Sequence, residues 1–254
     1  MTLNELHRLS VAVQQAGMGP ARWPTAGPLW NLIGLCSRYH AFLEVIVRRY
    51  EDANAEYQVF SRRAMEQMRE SPGGTRRLTA AEIADQARWF EVTLTLHLEI
   101  ESFYQFSKIL LDRLADVVYL YFGEPRPSKG SSHSRLVTAA GFERLCREHA
   151  VAGDAVLPLL TDLHTRVVRH ETDVIEHLLE PRSTPGTSSG PLGRAAISMG
   201  LVAPDPATST FDTRMTEDPA ALLTAIDRYI TTIAGFLEAN LEKSVLGTIG
   251  HREA

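Results

Sequence analysis

Apolar residues recur every three or four positions along most of the chain, the spacing that lines one face of an α-helix. Leu32, Cys36, Tyr39, Leu43, Ile46, Tyr50, Tyr57, Phe60, Ala64 and Met68 trace such a face and predict a helix over residues 29–70. Residues 51–56 are thinly apolar, which predicts a bend or a stretch running past the core. Ser71-Pro72-Gly73-Gly74 ends the helix. A second helical pattern runs from Thr79 to Phe122 without Pro or Gly, with Ile100, Phe103, Ser107, Leu110, Leu111, Leu114, Val118 and Tyr121 as its core stripe. Glu101, Gln105, Lys108 and Asp112 form the opposite edge, expected in solvent. Unbroken, that helix would measure roughly 65 Å, against a radius of gyration of about 18 Å for a compact domain of this size. It must therefore kink, belong to an elongated bundle, or pack on a second subunit.

Short-range signals place the other elements. Thr2 with Glu5, and Thr79 with Glu82, are capping-box pairs that start helices. The first predicts a short helix to about Gln15, followed by a Pro- and Gly-rich loop from Gly17 to Pro28. Residues 123–134 read as loop, 139–150 as helix, and 153–180 as a longer helix that ends at Pro181. Asp218-Pro219 opens the last helix, whose apolar face is Leu222, Ile226, Tyr229, Ile230, Ile233, Phe236, Leu237 and Leu241, with Gly247 as its stop. Residues 195–199 and 208–211 are expected as coil or a small hairpin. The expectation is an all-α protein: an elongated bundle of five to six helices forming a single domain over residues 1–254. A coil-rich insertion (181–217) precedes the last helix and a flexible tail (248–254) follows it.

Composition narrows the function classes. The 254 residues are 44% hydrophobic, as in a globular protein, and carry a net charge of −5, so no global basic field recruits nucleic acid. The two cysteines, Cys36 and Cys146, lie far apart in helical patterns and read as small buried hydrophobes in a reducing compartment. The first residues lack the build of a secretory signal, and no run of 18 apolar residues occurs. A cytoplasmic location without membrane contact is the expectation.

The candidate chemistry sits in LLTDLHTRVVRHETDVIEHLL, residues 159–179. At about 100° per residue, Leu160, Leu163, Val167, Val174, Ile175 and Leu178 share one sector of the helix. His164 and Glu171 fall inside that sector, and His170 and His177 flank it with Arg166 and Asp173. A carboxylate on an apolar stripe needs a partner or water. Glu171 therefore predicts either a buried His–Glu or Arg–Glu pair that fixes helix register, or a polar site tuned for proton transfer. Histidine suits the second role because it titrates near neutrality. A metal site would need His164, Glu171, His170 or His177 to be joined by His97 and Glu101. No Glu-x-x-His or HExxH supports this, so neither metal nor cofactor is expected. Gly186-Thr187-Ser188-Ser189-Gly190 matches a nucleophile elbow only in letters, lacking the strand before and helix after.

Two phrases, ESFYQFSKILLDRLADVVYLYFG (101–123) and RVVRHETDVIEH (166–177), resemble helices of bacterial all-helical proteins in the HEPN superfamily. The resemblance covers about a third of the chain. It implies an all-α fold, a dimer, and metal-independent RNA cleavage by an Arg and a His meeting at the dimer interface. Other members of the superfamily have lost the motif and serve as scaffolds or binding modules. The spacing departs from the superfamily's pattern. Three residues separate Arg166 from His170 and seven separate Arg169 from His177, whereas the motif's gap lies between these lengths. Arg144 and His149 do have such a gap.

On these grounds His170 and His177 are the expected proton-transfer groups, Arg166 or Arg169 the phosphate contact, and Glu171 the orienting carboxylate. The corresponding function is RNA cleavage or RNA binding by a homodimer. The alternative is a non-catalytic interaction or scaffold module that engages a protein partner, with the same residues as a structural network. A metal-binding bundle is the third.

Overall fold

The computed structural model describes residues 2–17, 23–70, 79–125, 131–138, 140–169, 203–204, 211–212 and 218–250. The protein is all-α. Among the described residues its helices are α1 (Thr2–Ala16), α2 (Trp23–Glu70), α3 (Ala80–Tyr121), α4 (Ser132–Val137), α5 (Phe142–Glu148), α6 (Leu157–Leu163), α7 (Pro219–Ala239) and α8 (Val245–Gly250). A π-helical turn, His164–Arg169, continues α6, and a 3-10 turn, Leu241–Lys243, links α7 to α8. Ala203–Pro204 pairs antiparallel with Phe211–Asp212, a ladder of two residues per strand inside the 181–217 insertion; of these residues only Phe211 belongs to the stretches expected as coil or hairpin.

The chain divides into two compact units, and α2 and α3 each contribute to both. The first unit comprises residues 1–43, 104–172 and 220–254. Its central rod is the end of α3, where Leu110, Leu111, Leu114, Ala115, Val117, Val118, Tyr119, Tyr121 and Phe122 are all buried. A helix covered on every side needs apolar residues all round, and that is why the predicted stripe is only part of what is buried here. Leu6, Leu9 and Val13 of α1, Leu29, Ile33 and Cys36 of α2, and Leu222, Ile226, Ile230 and Ile233 of α7 complete the core. Tyr121 donates its hydroxyl hydrogen to the Leu237 carbonyl at 2.6 Å, which satisfies the one polar atom of a buried ring. Helix α7 is long and apolar enough to cross a membrane by length and composition, but its apolar face lies in this core.

The second unit comprises residues 44–103 and 173–219. Here the end of α2 and the start of α3 run antiparallel. Arg49 meets Glu99 at 2.7 Å, Arg88 meets Glu56 at 2.7 Å and Arg63 meets Asp85 at 3.6 Å, so positions rise on one helix as they fall on the other. Ile46, Val47, Tyr50, Ala53 and Tyr57 on α2 and Val92, Leu96, Ile100 and Phe103 on α3 are buried. Helix α3 starts with the expected capping box: the Thr79 amide donates to Glu82 Oε2 at 2.8 Å, and the Glu82 amide donates to Thr79 Oγ1 at 3.3 Å.

Several boundaries differ from expectation for physical reasons. The loop foreseen over residues 17–28 gives way to helix at Trp23: Pro24 falls in the first turn, where no N–H is needed, and Pro28 is carried inside the helix, one turn further on, at the cost of a backbone hydrogen bond. The helix expected over 139–150 is present as α5, shorter at both ends, while α4 starts at Ser132, inside the stretch 123–134 expected as loop. Gly141 separates them, and a Cβ there would sit 2.3 Å from the Arg135 carbonyl oxygen. Gly247 lies inside α8 instead of ending the last helix. It is small because the backbone of Glu242 approaches it, 2.3 Å from a would-be Cβ.

Candidate functional site

The site grows from α3 outward. Asp112 and Asp116, one turn apart, hold the start of α4. Asp112 Oδ1 accepts from the Ser131 hydroxyl at 2.6 Å and from the His133 amide at 3.0 Å. Asp116 Oδ1 accepts from the Ser132 hydroxyl at 2.6 Å, while its Oδ2 receives Arg113 Nη1 at 2.9 Å. Ser131 Oγ in turn accepts from the Ser134 amide at 3.1 Å, an N-cap. Asp112, expected on the solvated edge of α3, thus serves with Asp116 as an anionic cap for a neighbouring helix. Carboxylates suit that place because the first N–H groups of a helix are unpaired and its N-terminus is electropositive.

This clamp drives His133 into the core. Its ring is fully buried, and neither ring nitrogen has a hydrogen-bond partner among the described residues. It stacks on the His164 ring at 5.7 Å and 27°, and meets the Tyr229 ring edge-on at 6.0 Å. Burial, with a lesser push from His164, drives the His133 pKa down to about 3. The imidazole is therefore neutral at physiological pH. Tyr229 is also fully buried with its hydroxyl unpaired among the described residues, and burial pushes its pKa up. A group so far from neutral titration, and sealed from solvent, is poorly matched to proton transfer at pH 7.

Of the residues expected to act, Arg166 is on the π turn. It is half-buried and donates to Asp162 Oδ2 at 2.7 Å, one turn back. Arg169 closes that turn with its backbone, and its side chain lies outside the described residues. His170, Glu171 and His177, and residues 186–190, also lie outside them. Leu160, Leu163 and Val167 are buried as the helical wheel requires, and His164 turns toward the same core. A π turn closes i to i+5 bonds, so it turns by less per residue than the 100° step of a regular helix.

Two histidines escaped the sequence. His133 sits in a Ser-rich phrase that looks like loop; the legible signal was Ser131 with Ser134, an N-cap spacing ahead of an apolar turn. His40 on α2 is 1% exposed and lies 2.5 Å from Asp227 Oδ1 on α7, an ion pair if protonated and a hydrogen bond if not. Cys36 precedes His40 by one helical turn, which suggests a Cys–His–Asp arrangement. Burial, however, pushes the Cys36 thiol up to about 12, with Arg113 opposing and Asp116 adding. The reactive species would be the thiolate, so Cys36 is an inert core residue. Cys146 is likewise pushed up, to about 11, first by burial.

In the second unit, His97 has its pKa lowered by burial, partly countered by Glu101. Among the described residues, no three His, Cys, Asp or Glu side chains gather where they could hold a metal ion. No family model matches this chain, and no curated protein or solved structure matches it.

Proposed function

We propose that this protein acts by binding other macromolecules through its helices, without catalysing a reaction, and that its histidine centre belongs to the scaffold. The observation that carries this reading is the sealing of His133: fully buried, held neutral, and stacked on His164. Such a centre specifies how α4 and the π turn sit against α3, the use of buried polar groups that secures a unique arrangement. Arg166, the one candidate phosphate contact whose side chain is described, is engaged by Asp162.

RNA cleavage or RNA binding by a homodimer is the second reading. The π turn that carries Arg166 favours it, because such turns are frequent at functional sites. One assay separates the two. Purified full-length protein is incubated with RNA in the presence of a chelator, comparing wild type with His170→Ala and His177→Ala. The interaction reading expects no cleavage above buffer in any of the three, or equal residual cleavage in all. Clear wild-type cleavage abolished by either substitution would overturn it.

A further inference from the structure

We propose that α4 is a pH-operated latch: a proton on His133 releases α4 from the core by itself, while α3 and α7 stay folded. The proposal goes beyond the interaction reading and does not depend on it.

The surroundings of the ring set the trigger. His133 is fully buried, and neither ring nitrogen has a partner among the described residues. Protonation would add a charge and a second N–H donor in a place that supplies an acceptor to neither nitrogen, which is costly. The charged and titratable groups around it do not relieve this. His164 on the π turn stacks on the ring at 5.7 Å, and Tyr229 on α7 meets it edge-on at 6.0 Å. On α3, Asp112 accepts from Ser131 and from the His133 backbone amide, and Asp116 accepts from Ser132 and Arg113. Asp162 of α6 is engaged by Arg166, and Asp227 of α7 by His40. The proton therefore belongs to the state in which the imidazole has reached water.

Release of α4 is the easiest way there. The helix has six residues, and Leu136 is the one large apolar side chain it buries. Its start is held by the bonds to Asp112 and Asp116, which water can replace. Hydrating the ring by opening the end of α3 would instead uncover Leu110, Leu111, Leu114, Val118 and Tyr121. Local opening follows the least stable unit, and here that unit is α4. Its release also lifts the His133 ring off His164, on the turn that carries Arg166.

The size of the effect follows from linkage. A hydrated histidine titrates at about 6.5, whereas burial holds His133 down to about 3 in the closed form. Above about pH 6.5 neither form is protonated. Below it only the open form takes the proton, so opening grows about tenfold per pH unit. From pH 7.5 to pH 5 the opening constant should rise about 30-fold.

The test is amide hydrogen exchange of the full chain, followed by mass spectrometry from pH 7.5 to pH 5 and corrected for the intrinsic pH dependence of exchange. Protection in residues 131–138 should fall about 30-fold, while residues 110–121 of α3 and 226–237 of α7 keep theirs. His133→Leu should abolish the fall. Asp112→Asn loosens the start of α4 without touching the imidazole; it should raise opening at every pH and keep the same pH dependence. The wild type and this second variant decide the matter even where His133→Leu does not fold. Equal loss of protection in α3 and α7, or an α4 indifferent to pH, overturns the latch. A His133→Leu protein that keeps the wild-type pH dependence, or an Asp112→Asn protein that loses it, overturns the imidazole as its trigger.

Discussion

Acid should unfold this protein in part through His133. In the unfolded chain a histidine titrates near 6.5, whereas burial holds His133 down to about 3. Between those values the unfolded state binds a proton that the folded state refuses, so stability rises with pH there. The contribution is fully present above about pH 6.5 and is lost progressively as the pH falls toward 3. At about 1.4 kcal/mol per pKa unit, the span corresponds to on the order of 4–5 kcal/mol, against roughly 5–15 kcal/mol for a whole domain. The perturbation is His133→Leu, which removes the titration and leaves an apolar side chain in an apolar place. At pH 7.5 the substitution should change stability by about 1 kcal/mol or less, because it also deletes two unpaired nitrogens. Urea unfolding of both proteins at half-unit steps from pH 7.5 to 4.5 is the assay. The difference between them cancels whatever the two proteins share. It should shift in favour of the variant by about 1.4 kcal/mol per pH unit below pH 6. Parallel curves across that range would refute the burial argument.

Two further outcomes follow from the ties already described. Asp116→Ala removes the acceptor of both Ser132 and Arg113; it should destabilise the protein by about 2–3 kcal/mol in urea unfolding, the range for a lost charge-assisted bond. Arg49→Met leaves Glu99, which is 2% exposed, without its cation. Breaking a buried pair costs about 3–5 kcal/mol, but Arg49 is more than half exposed, so a loss on the order of 2 kcal/mol is expected by the same measurement.

The sequence carried the fold further than it carried the site. Every residue named for the core stripe of α3 is buried, and so is the face of α7 from Leu222 to Leu237, because periodicity is a local property that one element displays alone. The site depends on pairs far apart in sequence. Nothing near Asp112 says that it will accept from the His133 amide, and nothing near His40 announces Asp227. A loop-like composition concealed α4, whose start is defined by carboxylates of another helix.

The shortness of α4 and α5 has its own consequence. At six and seven residues, they fall well below the roughly 12–15 at which a lone helix becomes even marginal in water. They hold their shape only while the end of α3 stands, so they are tenants of that rod and melt with it. The imidazole pair is hidden by walls that do not outlast their landlord, and an edit deep inside α3 would expose His133 to water without touching it.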